Sequence, residues 1–213
     1  DEATGRVAVE AVFHTAATHG IRTVKLKYAG GEPTLNFSLV RALHEHAEKL
    51  SSAGGVALQE VLLSNGVALL PDMIRALRDS GIRLSLSLDG VGKVHDRQRG
   101  DGTGASVSKS LDRAILLGLD PHVTVTVTRQ NVENLADTVA FILDRGLRFN
   151  LNFYRESACA LSQANLHIDD QHLIEGVRSA LRVIEYRLPA HNILGGLLDR
   201  VNLAFPHSRP CGV

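Results

Sequence analysis

The feature that most constrains this chain is a regular alternation of β-rich runs with stretches of helical periodicity. Each run is followed by apolar residues spaced three or four apart, as in an amphipathic helix. The runs lie at 23–29, 59–64, 83–88, 122–128 and 148–154. Their spacing suits right-handed strand–helix–strand crossovers, so the sheet should be parallel. We therefore predict an α/β fold, a partial parallel (β/α)6 TIM-like barrel whose first strand is missing from this chain. A doubly wound open sheet is the alternative.

Turn residues divide the remaining sequence. A helix is predicted at 5–18, before the first β-rich run, and a long final helix at about 170–188, ending before Pro189. Residues 91–104 are polar and glycine-rich, and they are predicted to form a loop.

Composition excludes several classes of protein. The chain has 213 residues, of which 44% are hydrophobic, enough for a sizeable core. Lys plus Arg and Asp plus Glu number 23 each, which argues against a dedicated surface for nucleic acid or anionic membrane. No apolar run approaches the roughly 20 residues needed to cross a bilayer, and no signal peptide is evident. A cytoplasmic protein is expected.

Metal-ligating side chains are sparse in this sequence. Its two cysteines, Cys159 and Cys211, cannot fill a four-thiolate site. The ten histidines are mostly isolated, and we expect them on the surface or at helix ends. His44 and His46 lie two apart on a predicted helix, so they should point to different faces and make a poor metal pair.

Small and polar residues collect where three successive β-rich runs end. Because ligands of parallel α/β folds bind at the carboxyl ends of the strands, these residues are candidates for a binding site. Each motif taken alone is usually only a turn, and their coincidence is what favours a site. The residues are Gly30, Gly31, Glu32 and Pro33, then Ser64, Asn65 and Gly66, then Ser87, Asp89 and Gly90.

The chemistry of these residues suits a small zwitterionic ligand. The paired glycines allow the backbone to approach closely, and Pro33 removes a competing donor. Glu32 could hold an ammonium group through a charge-assisted hydrogen bond. Ser87 could donate to a carboxylate, and Ser64 or Asn65 could reach sugar hydroxyls.

The strings YAGGEPTL, SNG, SLDG and VHDRQR, in this order, resemble the radical S-adenosylmethionine (SAM) superfamily. The resemblance runs from about residue 5 to residue 156. It is strongest to the branch of sulfatase maturases and peptide-modifying enzymes that carries a C-terminal auxiliary-cluster (SPASM) domain. It implies that the Gly-Gly-Glu-Pro segment binds the methionine amino group, that Ser87 helps hold SAM and that Ser64 and Asn65 lie near the ribose. Arg99, in the HDRQR loop, is either a carboxylate partner of SAM or a solvated loop arginine. The full set of implied SAM contacts is Gly30, Gly31, Glu32, Pro33, Ser64, Asn65, Ser87, Asp89 and Arg99.

The chain departs from the family pattern in its cysteines. The family holds a 4Fe–4S cluster with three cysteines spaced CxxxCxxC after the first strand, and this triplet does not occur here. We expect a fragment, inactive by itself, in which 1–190 form the radical SAM core. Residues 191–213 would be a linker and the start of the auxiliary-cluster domain. Cys211 would be that domain's first cluster ligand, and Cys159 a structural or loop thiol.

The resemblance implies reductive cleavage of SAM to a 5′-deoxyadenosyl radical that abstracts hydrogen from a peptide or protein substrate. It also implies an electron donor such as flavodoxin or ferredoxin. The polar positions of the last two strands are candidates for lining the cavity. They are Thr126, Thr128, Asn152, Tyr154 and Glu156. The alternatives are a scaffold that has lost its cluster and a non-radical (β/α) barrel enzyme that binds a phosphorylated metabolite.

Overall fold

The structure is a computed structural model that describes residues 1–154 and 166–189. Its strands are β1 (Thr23–Tyr28), β2 (Ala57–Ser64), β3 (Arg83–Ser87), β4 (His122–Val127) and β5 (Arg148–Phe153). Its α-helices are α1 (Glu2–Thr18), α2 (Phe37–Gly54), α3 (Pro71–Asp79), α4 (Lys93–Arg99), α5 (Thr103–Leu116), α6 (Leu135–Leu143) and α7 (Asp170–Tyr186). Short 3₁₀ helices cover Pro33–Asn36 and Val132–Asn134.

The strands coincide with the β-rich runs to within two residues at each end. The loop predicted at 91–104 is wrong in its middle part, where α4 forms. His95 is the physical reason, because its side chain is only 2% exposed and anchors this turn of helix in the interior. A polar, glycine-rich composition did not reveal that one histidine would be buried.

Two compact units divide the chain. The first comprises Asp1–Ser87 and Ala105–His122, and it holds β1, β2 and β3. Its core lies between α1, α2 and the first strands, where apolar side chains exclude water and stabilise the fold. The clustered core residues are Val9, Phe13, Ala16, Val24, Ala47 and Val56.

The register of β1, β2 and β3 fixes which loops meet. The three strands are parallel neighbours, with Tyr28 opposite Leu62 and Ser64 opposite Leu86. The residues that follow each strand therefore emerge at one edge of the sheet. Gly31, after β1, and Ser87, at the end of β3, therefore lie at the same end of the sheet, as predicted, with β2 between the two strands.

The second unit comprises Leu88–Gly104 and Val123–Val213. Its strand β4 alternates strictly, with Val123, Val125 and Val127 fully buried and the threonines between them half-buried. Helix α7 packs against α6 and approaches the backbone closely at Gly176. A Cβ at that position would lie 2.5 Å from the carbonyl oxygen of Val132.

Five parallel strands alternate with helices along the chain, which confirms the predicted α/β class and the partial (β/α) barrel. Within the described residues, no helix has the length and apolar character that a membrane span requires.

Candidate ligand site at the strand ends

The loop after β1 is shaped for close approach of a ligand. We call residues 29–31 the glycine arch. Gly30 and Gly31 have φ angles of +97° and +45°, a region that L-residues with side chains rarely adopt. No heavy atom lies within 4 Å of the place where a Cβ would stand on either glycine. The backbone of the arch is therefore bare and open on the side where a side chain would otherwise project.

Glu32 ties the arch to the end of β2. Its Oε1 accepts hydrogen bonds from Thr34 N (3.1 Å), Thr34 Oγ1 (2.7 Å) and Ser64 Oγ (2.8 Å). Its Oε2 accepts one from Asn65 N at 2.7 Å. A carboxylate oxygen has two lone pairs, so Oε1 is fully used and Oε2 retains capacity for one further donor. We call this arrangement the Glu32 clasp.

The flanking residues stiffen both loops. Pro33 opens the short 3₁₀ helix, which Glu32 caps. Ser64 Oγ accepts from Gly66 N at 2.9 Å, and Asn65 Oδ1 accepts from Val67 N at 2.9 Å. These are local side-chain turns of the kind that Ser and Asn commonly make. Ser64 is thus buried and committed to the loop, whereas Asn65 is exposed.

Ser87 is the last residue of β3 and is half-buried, whereas Leu88 beside it is fully buried. The two side chains therefore have different surroundings, as expected for neighbours along an extended chain.

In the second unit, Asp89 organises a network of its own. Its carboxylate is completely buried, and Oδ2 accepts from Arg99 Nε (2.5 Å) and Gln98 Nε2 (2.8 Å). Oδ1 accepts from Thr126 N at 2.7 Å. All the bonds are charge-assisted, so the carboxylate holds these groups firmly. The carboxylate of Asp89 has no exposed surface, and its described partners are these neighbouring groups.

Arg99 is the exposed member of this network. Its side chain is 37% exposed, and Nε is bonded to Asp89. Within the described ranges, its terminal nitrogens Nη1 and Nη2 make no hydrogen bond. A guanidinium fixed through Nε offers a planar pair of donors to a carboxylate or phosphate.

The backbone of Asp89 is held as well. Its N–H donates to His95 Nδ1 (3.0 Å), and its carbonyl accepts from Asn131 Nδ2 (2.6 Å). Burial, the largest effect, lowers the pKa of His95, so the ring stays neutral and keeps the Nδ1 lone pair that this bond needs. The expectation that all histidines are surface or capping residues is therefore wrong for His95.

It is also wrong for His44, which belongs to a buried group that the sequence analysis missed. Glu60 on β2 accepts a hydrogen bond from Tyr28 Oη through Oε1, and its Oε2 lies 2.7 Å from His44 Nδ1. All three side chains are less than 10% exposed. The spacing of His44 from Val40 and Ala47 was a sequence signal for its burial, because it places all three on one face of α2, the buried one.

Among the predicted cavity-lining residues, Thr126, Asn152 and Tyr154 are half-buried. Thr128 is 1% exposed and donates through Oγ1 to Gln98 Oε1 (2.7 Å), so it belongs to the Asp89 network instead. On β5, Asn150 Nδ2 donates to Asn152 Oδ1 at 2.9 Å.

Cys159, Cys211, Glu156 and the predicted 190/191 domain boundary lie outside the described residues. Within residues 1–154 and 166–189, no three His, Cys, Asp or Glu side chains are grouped so as to hold a metal ion.

The fold is that of a partial α/β barrel, and the bare glycine arch is a candidate ligand site at the carboxyl end of one of its strands. The sequence model of the Radical SAM superfamily matches residues 6–142, more than half of the chain. The chain belongs to the radical SAM superfamily, as the sequence motifs predicted.

Solved structures share this fold. Native anSMEcpe, solved with bound AdoMet and the Kp18Cys peptide, matches with a TM-score of 0.74 at 15% identity, over 94% of this chain and 58% of its own. A radical SAM methyltransferase from Sphaerobacter thermophilus matches with a TM-score of 0.52 at 14% identity, over 84% of this chain and 54% of its own. The chain thus spans less than two thirds of either structure.

Proposed function

We propose that this chain is the SAM-binding core of a radical SAM enzyme that acts on a peptide or protein. The observation that carries the proposal is the glycine arch, a bare backbone with two positive φ angles at the end of a parallel strand. Family membership supports an enzyme that uses SAM. The particular residues that contact SAM and the peptide class of the substrate are part of this proposal.

The residues fit the aminocarboxyl end of SAM. A ligand can contact the backbone of the arch, because Gly30 and Gly31 have no side chains to occupy the space beside it. The spare acceptor capacity of Glu32 Oε2 suits an ammonium group, and half-buried Ser87 offers a hydroxyl. Arg99, which belongs to the second unit, is proposed as a carboxylate partner. Asp89 binds its Nε, and no described residue binds its Nη1 or Nη2.

The residues do not fit a 4Fe–4S cluster. The sequence contains two cysteines, Cys159 and Cys211, and no CxxxCxxC triplet. Three thiolates close together are needed to hold three irons and leave the fourth for SAM. We therefore assign no cluster ligand within this sequence and derive no step from a cluster.

When bound, SAM supplies the adenosyl group with which this superfamily performs hydrogen abstraction, and the protein binds and orients it. A peptide substrate is supported by the polar side chains of β4 and β5, which include Thr126, Asn150 and Asn152. The anSMEcpe structure, which shares the fold, contains a bound peptide.

An NMR titration tests the SAM site residue by residue. In the ¹⁵N-labelled chain, added SAM should shift the amide signals of Gly30 and Gly31. Glu32→Ala and Ser87→Ala should weaken the binding by roughly 10- to 150-fold, the loss expected for a charge-assisted hydrogen bond.

Leu88→Ala is the matched control. It removes a fully buried side chain beside Ser87 and should lower thermal stability without changing the affinity of the folded protein. Unchanged glycine signals at saturating SAM, or equal affinity of the Glu32 and Ser87 variants, would show that the assignment is wrong.

The same titration separates the two alternatives. A phosphate-binding barrel would respond to inorganic phosphate rather than to SAM. Its site would have to place the anion beside the carboxylate of Glu32, which repels it. A scaffold without ligand would respond to neither compound.

A further inference from the structure

The glycine arch is anchored at both ends on the same strand, β2. Beyond the arch, the Glu32 clasp binds Ser64 and Asn65 at the end of β2. Before it, Tyr28 donates through its hydroxyl to Glu60, which lies further back along β2. The register places Tyr28 opposite Leu62, so the ring reaches back along the strand pair to Glu60.

The lower anchor is buried and completed by a third residue. Glu60 is 6% exposed, and its second oxygen lies 2.7 Å from His44 Nδ1 on α2. A lone pair on Nδ1 would repel a carboxylate at this distance, so Nδ1 carries the proton and donates. Among the described residues, Tyr28 and His44 are the hydrogen-bond partners of this carboxylate, one on each oxygen. The Tyr28–Glu60–His44 group thus links β1, β2 and α2.

Core packing alone does not account for this group. A phenylalanine at position 28 and an apolar residue at 60 would fill the same space without the cost of burying a carboxylate. Burial, followed by the hydrogen bond to Glu60 and its charge, raises the pKa of Tyr28 well above its ordinary value. The hydroxyl therefore remains protonated and continues to donate to Glu60.

The arch itself has no comparable support. No atom lies within 4 Å of the virtual Cβ positions of Gly30 and Gly31, so packing on that side does not fix their conformation. Two consecutive glycines also have the greatest backbone freedom of any residues. Their positive φ angles must be imposed from the ends of the segment.

We propose that Tyr28, Glu60 and His44 are positioning residues that hold the glycine arch in its ligand-binding conformation without touching the ligand. This inference rests on the proposed function and extends it, because it names the residues that keep the backbone of the arch ordered before SAM binds. The group holds the side chain of Tyr28, in addition to the backbone pairing of Tyr28 with Leu62, and the arch begins at the next residue.

The experiment measures the order of the arch directly. In ¹⁵N relaxation measurements on the chain, Gly30 and Gly31 should have order parameters near about 0.85, as in rigid backbone. Tyr28→Phe removes one hydroxyl and keeps the ring. It should lower both values toward about 0.6. SAM binding should weaken roughly 5- to 30-fold, because binding must then order the backbone of about one more residue.

Ser51→Ala is the control for a lost hydroxyl in the same unit. Ser51 Oγ donates to Val56 O at 2.7 Å, near the start of β2 and away from the arch. This variant should leave the order parameters of the glycines unchanged. If Tyr28→Phe matches wild type, or if Ser51→Ala disorders the arch equally, the inference is overturned.

A pair of variants at position 60 separates positioning from simple stability. In Glu60→Gln the amide oxygen can accept from Tyr28 and the amide nitrogen can donate to the other tautomer of His44, so arch order should be retained. Glu60→Leu has a similar volume and no hydrogen bonds, so it should disorder the arch as Tyr28→Phe does. Equal effects of the two variants would refute positioning by hydrogen bonds.

The two proposals fail separately. Order parameters are measured without ligand, so they test the anchor even if SAM does not bind. A rigid wild-type arch that loosens in Tyr28→Phe but ignores SAM would support the anchor and contradict the proposed function.

Discussion

Asp89→Asn tests whether the buried carboxylate organises the second unit. The substitution keeps the size of the side chain and replaces one oxygen by an amide nitrogen. In one orientation the new N–H₂ faces the donors of Arg99 and Gln98, and in the other it faces Thr126 N–H. Either way a donor opposes a donor, and Arg99 loses its charged partner.

The magnitude follows from burial and exposure. Breaking a fully buried ion pair costs about 3–5 kcal/mol. Asp89 is completely buried, but Arg99 is 37% exposed and can regain some hydration. We therefore expect a loss of about 2–4 kcal/mol in the free energy of unfolding. For a chain of this size, that corresponds to a decrease of roughly 5–15 °C in Tm.

Urea denaturation followed by circular dichroism measures this loss as a shift of the midpoint. Asp72→Asn is the matched control, since Asp72 also lies 2.5 Å from an arginine, Arg75, but its side chain is 94% exposed. That exposed pair should contribute little, so its midpoint should stay near the wild-type value. If both substitutions shift the midpoint equally, burial of the Asp89 carboxylate does not strengthen its contribution to stability.

Two further predictions concern protons and iron. Because burial lowers the pKa of His95, the unfolded chain takes up a proton where the folded chain does not. Stability should therefore fall as the pH drops below the ordinary histidine value of 6.5. His95→Asn, which retains an acceptor for Asp89 N–H, should reduce this dependence in pH-dependent melts, and an unaltered dependence would contradict the assignment. Anaerobic reconstitution of the chain should yield no stoichiometric 4Fe–4S cluster, as judged by iron and sulfide analysis, because two distant cysteines cannot replace three clustered ones.

The position of the candidate site was predictable from local patterns. Paired glycines after a β-rich run indicate a turn with unusual φ angles, and parallel strands bring such turns to one edge. The alternation of strands and helices therefore suffices to predict that Gly31 and Ser87 lie at the same end of the sheet.

The partners of the charged residues were not predictable in the same way. Glu60 meets Tyr28 and His44 only because β1 and β2 pair in one register and α2 packs over them. Arg99 reaches Asp89 because α4 forms where a loop was expected. Both outcomes depend on tertiary packing, which the periodicity of a single sequence does not reveal.

The bare glycine arch has a thermodynamic consequence for any ligand that binds it. Fixing the backbone of one residue costs about 1–2 kcal/mol in conformational entropy, and glycine loses more than other residues. Under the proposal that Glu32 and Glu60 hold the two ends of the segment, that loss is incurred during folding. A ligand therefore meets a loop that is already ordered, and the free energy of its own contacts is available for affinity rather than for arranging the backbone.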